Sequence, residues 1–420
     1  MTQHLQQPLA LATTTLANRL AKSATSEALA DRATGQPTEA LVRLYERWGA
    51  GGAGLLITGN VVFDLDARTE PGVVVIRDER DLPMLRRWAT AAQAHGARAL
   101  MQLNHAGRQT AKRIARTPVA PSAVALQGKG GLFGAPRALT EREIGELIEG
   151  FARTAQIAVT AGFAGVQLHA AHGYLVSQFL SPLSNRRTDG WGGELAGRMR
   201  FLLEVVRAVR ARIGPAVLAV KLNSADFQRG GFDEAESMKV VAALEAERID
   251  LLEISGGNYE RSAMMGGERT STARREAYFL DYARQVRQTT RLPLMLTGGL
   301  RTAAMMESVV AAGDVDVVGM ARPLIVEPDL PARILGGDAA GAVEPPSRIA
   351  IRMFDDVLQI AWYQRQLRRI AAGRDPDPRL GRWSSVLVGI ARNYAFNPLR
   401  MRRGRALAEP ALLRSAGEGG

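Results

Sequence analysis

The sequence predicts an α/β fold, a (β/α)8 TIM barrel followed by a basic, helical C-terminal extension. Three observations carry this expectation. Between residue 16 and about 325, short apolar or β-branched runs alternate with longer stretches of helical period, the pattern of a parallel sheet covered by helices. Eight such units fit within roughly 300 residues, the length a barrel with insertions takes. Polar residues and glycines collect just where each run ends, which is where a barrel of this type places its chemistry.

In order, the strand runs are Arg19–Ser23, Gly54–Thr58, Arg98–Leu103, Gly165–His169, Ala216–Leu222, Asp250–Ile254, Leu292–Thr297 and Val315–Met320. Between them the 3.6-residue period marks helices over Thr38–Trp48, Leu82–His95, Ile144–Ala161, Met199–Ile213, Asp233–Glu247, Phe279–Thr289 and Thr302–Ala312. Two stretches exceed the minimal barrel. Thr110–Leu139 carries Gly128, Gly130, Gly131 and Gly134 and ends in a capping box, Thr140-x-x-Glu143; a glycine-rich excursion beside the catalytic face suits either a lid or a surface loop. Ser181–Gly197 is too rich in turn formers to be helical. These elements give a barrel domain over residues 10–345 and an extension over 346–420, in which Asp355–Ile370 has helical spacing before the break GRDPDPRLGRW.

Composition narrows the chemistry. The chain of 420 residues is 46% hydrophobic and 23% charged, an ordinary globular balance, and it contains no cysteine. Disulfides, thiolate-held iron–sulfur clusters, cysteine-based zinc sites and cysteine nucleophiles are therefore excluded. The net charge of +12 rests on 49 arginines against only five lysines, and residues 341–420 carry 14 arginines against seven acidic residues. Such a tail suits packing on the barrel, a partner subunit, an anionic surface or nucleic acid. No apolar run approaches the length of a membrane span, and the N-terminus lacks a basic start followed by an apolar core, so the reading is cytoplasmic.

The sharpest motif is His169-x-x-His172-x-Tyr174, just past the fourth run. His-x-x-His alone supplies too few ligands for a metal, and no companion His or Cys motif is present. Two imidazole N–H groups suit an oxygen that gains negative charge during reaction. A tyrosine, with an ordinary pKa of about 10, stays protonated and can deliver a proton. Together they describe reduction of a double bond conjugated to a carbonyl or nitro group, which needs a hydride carrier. Gly298–Gly299, Ala321 and Arg322 follow the last two runs, where barrels bind phosphate, and no G-x-G-x-x-G follows a strand, so a mononucleotide such as FMN fits better than a dinucleotide domain. Lys221 stands out because lysine is scarce; at a strand end it offers a compact charge to a reduced flavin or, alternatively, snorkels to solvent. Gln102 offers an amide that both donates and accepts, to a ring edge or to backbone.

HAAHGYLVSQFLSPLSNRRTDGWGG (169–193), with MQLNHAGRQ (101–109), LANRLAKSATSE (16–27), VKLNSADF (220–227) and VVGMARPLIVEPD (317–329), closely resembles the Old Yellow Enzyme family of FMN-dependent NAD(P)H oxidoreductases over roughly residues 10–340. The resemblance implies FMN across the C-terminal mouth of the barrel, touched by Ala24, Ser26, Gly59, Gln102, Lys221, Gly299, Ala321 and Arg322. It implies His169 and His172 as donors to the substrate oxygen and Tyr174 as proton donor. It also implies a ping-pong ene-reductase cycle in which NADPH or NADH reduces the flavin and leaves before an activated alkene takes the same site. Lys221 stands where the family often has Arg, and Ser26 where it has Thr or Cys tuning the flavin potential through a hydrogen bond. The 24–28 segment, Ala-Thr-Ser-Glu-Ala, lacks the Pro and aromatic of some members.

The expected partner is a small-molecule substrate, with no nucleic acid and no membrane association; an oligomer is compatible with the sequence. Flavin-barrel tRNA dihydrouridine synthases are excluded by the missing cysteine acid. A flavin-binding redox or recruitment protein acting through its basic tail is the alternative, and deletion of residues 346–420 separates it from an ene-reductase.

Overall fold

A computed structural model describes residues 2–127, 131–256, 279–342 and 352–394. Eight parallel strands close on themselves: β1 (Leu20–Lys22), β2 (Leu55–Val62), β3 (Arg98–Leu103), β4 (Gly165–Ala170), β5 (Val217–Asn223), β6 (Leu251–Ser255), β7 (Leu294–Thr297) and β8 (Val317–Met320). β8 pairs with β1 and β1 with β2, so the sheet has no open end within the barrel. This is the (β/α)8 barrel that the alternating pattern predicts, and each strand lies within two residues of its expected start.

The helices between the strands are α1 (Glu39–Gly49), α2 (Leu82–Gln93), α3 (Glu141–Thr160), α4 (Leu195–Ile213), α5 (Glu234–Ala246), α6 (Leu280–Thr289) and α7 (Ala303–Ala311), with α8 (Leu330–Gly336) after β8. Local sequence starts several of them. Thr140 accepts the Glu143 N–H while the Glu143 carboxylate receives the Thr140 N–H, which forms the expected capping box. Asp233 and Thr302 cap α5 and α7 in the same way, through the N–H groups of Glu236 and Met305. The start of α4 at Leu195 lies inside the 181–197 stretch read as non-helical; its last three residues already belong to the helix.

Side-chain parity along the strands divides the barrel into two cores. One parity packs outward against the helices, as Leu20, Leu56, Leu168, Val220 and Leu252 do. The other fills the interior, where Ala21, Leu55, Ile57, Leu100, Val217, Ala219, Leu251, Met295 and Val317 form an apolar floor. A short hairpin, Leu9–Leu11 paired with Thr14–Leu16, adds Leu11 and Leu16 to this floor and plugs the N-terminal mouth. The C-terminal mouth is left for polar residues.

The two long insertions are tied to each other. Thr110–Leu139 contains a two-residue strand pair, Val119–Ala120 with Arg137–Ala138, and its Gly128 and Gly130 lie outside the described residues. Arg187 of the second insertion donates to the carbonyls of Pro121 (3.0 Å) and Leu139 (2.6 Å). Its Asn185 amide donates to the carbonyls of Phe179 and Trp191, each at 2.8 Å. Much of the Ser-Pro-Leu-Ser-Asn block is therefore scaffold that anchors the loops.

The extension begins, after residues 343–351 that lie outside the described set, with α9 (Arg352–Ala371), followed by α10 (Arg382–Tyr394). α10 begins within the last two residues of the Pro-punctuated break, Arg382 and Trp383. Leu358, Trp362, Leu367 and Ile370 are buried, the last three within the same core as Tyr45 and Trp48 of α1. The tail beyond residue 394 lies outside the described residues.

Candidate active site

Above the apolar floor the inward parity turns polar. Ser23, Gln102, Gln167, Lys221, Glu253 and Thr297 meet in one network, all but the half-buried Thr297 fully enclosed, contributed by or next to β1, β3, β4, β5, β6 and β7. Glu253 is its hub. One carboxylate oxygen accepts from Lys221 (2.9 Å), Thr297 (2.7 Å) and Ser23 (2.8 Å); the other accepts from Gln167 (2.7 Å). Gln167 in turn accepts from the Gln102 amide at 2.7 Å. Burial raises the Glu253 pKa, and the Lys221 charge with these hydrogen bonds more than offsets it, leaving the carboxyl below its ordinary range. Gly319 is glycine because a Cβ there would lie 2.0 Å from Thr297 Oγ1 and 2.6 Å from Ser23 Oγ.

The sequence reading treats Lys221 as an available positive charge. In the structure that charge is balanced by Glu253, which is fully buried beside it. Snorkelling to solvent, the alternative for Lys221, does not occur, since the residue is 3% exposed. Its neighbour in register on β4 is His169 and on β6 is Glu253.

His169 and His172 are close, with ring centroids 5.0 Å apart, and Tyr174 lies 4.8 Å from the His169 ring. The Ala171 N–H donates to His169 Nδ1 at 3.3 Å, so the proton of the neutral ring sits on Nε2, ready to donate. Burial, with the neighbouring His172 and Lys221, holds His169 well below its ordinary pKa; burial and Lys221 do the same to His172. Both rings are therefore neutral at physiological pH. His172 Nε2 shares a hydrogen bond of 2.8 Å with Ser255 Oγ. His172 also adopts φ +61°, an uncommon conformation for a residue with a Cβ. Asn223 Oδ1 accepts its N–H (3.2 Å) and the Gln109 amide donates to its carbonyl (3.0 Å), which pins the turn.

At the start of the chain, β1 is followed by Ala24 and Ser26, both half-buried. The Ser26 hydroxyl donates to Glu70 at 2.9 Å. Gly59 falls in β2 where the pairing register with β3 shifts between Ile57 and Asn60, a bulge. Its N–H donates to Glu27 Oε1 (2.8 Å), and a Cβ there would meet Glu27 Oε2 at 2.1 Å, so only glycine admits the carboxylate. Glu27 also receives the Tyr45 hydroxyl, and behind both lies Lys22, whose Nζ donates to Tyr45 (3.2 Å) and to the Ile57 carbonyl (2.9 Å) and sits 4.3 Å from the Trp48 ring. Two of the five lysines are thus buried around this mouth.

After β7, two strands round the barrel from β1, Gly298 and Gly299 both have positive φ (+139° and +77°). Ala321 and Arg322 follow β8, half-buried, and the Arg322 guanidinium has no hydrogen-bond or ion-pair partner among the described residues. Gly257, two residues beyond β6, lies outside the described residues. Among the described residues, buried polar atoms also lack partners here: Thr25 Oγ1 between Ala24 and Ser26, Asn60 Oδ1 after Gly59, and both amide atoms of Asn104, two residues past Gln102. Buried polar groups are rarely left so, and a polar ligand at this mouth meets the demand. An unpaired guanidinium for a phosphate and unmet amide and hydroxyl groups for a polar ring fit a flavin mononucleotide.

The structure gathers Ala24, Ser26, Gly59, Gln102, Lys221, His169, His172, Tyr174, Gly299, Ala321 and Arg322 at one end of the barrel. The sequence reading misses Glu253, Gln167, Thr297, Ser255, Glu27 and Glu70. Counting back two residues from each strand-end candidate finds Gln167 below His169; nothing in the linear sequence marks Glu70.

Residues 4–339 match the sequence profile described as the NADH:flavin oxidoreductase / NADH oxidase family. An NADH-dependent flavin oxidoreductase of Talaromyces variabilis is 36% identical over 395 residues, covering 85% of this chain and 95% of its own. Among solved structures, morphinone reductase superposes with a TM-score of 0.69 at 29% identity, over 81% of this chain and 91% of that one. The Old Yellow Enzyme homologue of Zymomonas mobilis gives 0.69 at 25% identity, over 80% and 94%.

Proposed function

Since the chain belongs to the NADH:flavin oxidoreductase / NADH oxidase family, within the Old Yellow Enzyme group, and is a flavin oxidoreductase using FMN and NAD(P)H, we propose that it reduces activated C=C bonds, such as those of enones. The observation that carries this reading is the trio of His169, His172 and Tyr174, the His169 ring centroid lying 5.0 Å from that of His172 and 4.8 Å from that of Tyr174, at the mouth with buried Lys221 and Gln102.

Bound FMN supplies the hydride, taken in turn from NAD(P)H. The chain's own residues do the rest. His169, protonated on Nε2, donates to the substrate oxygen, and because the ring is neutral it polarises that oxygen without giving up a full proton. His172 shares this task, its ring oriented by Ser255. Tyr174 holds the proton delivered to the α-carbon. Gln102 and Lys221, both fixed through the Glu253 network, are the proposed contacts to the flavin's polar edge. Ala24 and Ser26 past β1 and Gly59 within β2, next round the barrel from Gln102 on β3, are proposed to line the mouth, and Gly299, Ala321 and Arg322 to hold the phosphate. The small-molecule substrate expected from the sequence fits such a site, and among the described residues no helix is long and apolar enough to cross a membrane.

The test is anaerobic. The flavin of the purified protein is bleached with a stoichiometric amount of NADPH or NADH, and 2-cyclohexenone is then added. Return of the yellow colour without oxygen is the expected result; a flavin that stays bleached with this and other enones refutes alkene reduction.

A further inference from the structure

The Ser26 hydroxyl has a single proton, and the structure gives it to Glu70 at 2.9 Å. Glu70 is half-buried, and its other oxygen accepts from the Gln364 amide of α9, also at 2.9 Å. Among the described residues these two neutral donors are its side-chain partners. Gln364 is oriented from its far side, where its Oε1 accepts from Arg368 at 3.2 Å. One line of hydrogen bonds therefore runs from the C-terminal extension, through a carboxylate, to a residue of the candidate flavin mouth. α9 is not free to drift from this position, because Trp362 and Leu367 are each 1% exposed in the core shared with α1, and Arg43 of α1 donates to the Ala371 carbonyl at its end.

This arrangement has a definite electronic sense. A hydrogen bond donated to a flavin carbonyl favours the electron-rich reduced ring, as any donor favours the charge that develops on its acceptor. A serine whose proton is committed to a carboxylate cannot make that donation; charge-assisted acceptance by Glu70 outcompetes a neutral carbonyl. We propose that Glu70, held in place by Gln364 of the C-terminal extension, withholds the Ser26 proton from the flavin and thereby sets its reduction potential lower than a free hydroxyl would. The inference rests on the reading above that Ser26 borders FMN. It makes Glu70 and Gln364 positioning residues and gives the extension a part in the redox site.

The test is a double-mutant cycle read as the FMN midpoint potential of the full-length holoprotein, measured by equilibration with a reference dye. Glu70→Met removes the acceptor at similar length and frees the Ser26 proton. Removing the negative charge raises the potential by itself, so the same substitution is also made in the Ser26→Ala background. The expected result is a rise in the reduced-to-oxidised ratio at fixed potential that is larger with Ser26 present than in the Ser26→Ala background, by about two- to tenfold, the worth of one hydrogen bond. Gln364→Leu, which keeps Glu70 but unfixes it, is expected to raise the ratio less, and only with Ser26 present. An equal shift in both backgrounds would show Glu70 acting as a bare charge and overturn the proposal; no effect of Gln364→Leu would overturn the role of the extension. In either case bound, NAD(P)H-reducible flavin keeps the functional reading intact, whereas a protein that binds no FMN removes both.

Discussion

At the scale of single residues, the site separates groups that act from groups that hold them. Tyr174 is 6% exposed and its ring meets the His169 ring edge-on. Tyr174→Phe keeps this packing and deletes only the hydroxyl. The expected outcome is unchanged FMN binding and reduction by NAD(P)H with alkene turnover lower by about 10²- to 10⁴-fold, the usual range for a lost general acid. Stopped-flow measurement of the two half-reactions checks this, and an unaltered oxidative half-reaction would remove Tyr174 from the mechanism. Lys22 is a holding group with a measurable signature. Burial lowers its pKa from 10.5 to about 8, opposed in part by the Glu27 carboxylate. Above pH 8 the folded protein releases this proton while the unfolded chain keeps it to about pH 10.5, so stability from this group rises with pH across that window. Its slope reaches up to about 1.4 kcal/mol per pH unit. Tyr45, raised well above 10 chiefly by burial, works in the opposite direction above pH 10, which confines the clean window to pH 8–10. Urea midpoints at about pH 8 and about pH 9.5 should therefore diverge less in Lys22→Met than in the parent; parallel behaviour would mean that Lys22 does not titrate there.

Secondary-structure elements were legible to the extent that their signal is local. The capping box at Thr140, the strand starts and the helix over 355–370 all rest on residues within one or two turns of each other, and the structure has each of them. The start of α10 is hidden because GRDPDPRLGRW reads as a break and its last two residues already belong to the helix, although Trp383, Val386, Leu387 and Ile390 fall at helical spacing. How the extension packs is likewise invisible in the sequence, since Arg43 of α1 and the Ala371 end of α9 are 328 residues apart. Its burial makes deletion of residues 346–420 a poor separation of catalysis from recruitment, because the cut would expose the α1 side of the core. A point substitution is cleaner. Trp362 is 1% exposed, and its indole N–H donates to the Leu380 carbonyl at 2.9 Å. Trp362→Ala is expected to cost about 3–5 kcal/mol, the range for large buried aromatics, read as a lowered denaturation midpoint. A change below about 1 kcal/mol, within the reach of surface substitutions, would show that α9 does not dock in this way.

Taken as a whole, the molecule sorts its barrel interior by height, with an apolar floor sealed by the N-terminal hairpin and a polar mouth above it. Alternation, caps and strand-end polarity are written over short spans, and from them alone follow the barrel, its eight strand–helix units and the residues that crowd the strand ends; composition adds the exclusion of cysteine chemistry. The same local signals place His169, His172 and Tyr174 together, since residues so near in the chain cannot be far apart in space. Which charges face each other is settled at a different level. Lys221 and Glu253 are 32 residues apart and meet because neighbouring parallel strands set them in register. Ser26, Glu70 and Gln364 come from three separate parts of the chain and meet because α9 packs beside the barrel. Pairings of this kind depend on strand register and helix docking, which no local pattern encodes, and they are what fixes the protonation and orientation of the groups that the sequence could only name.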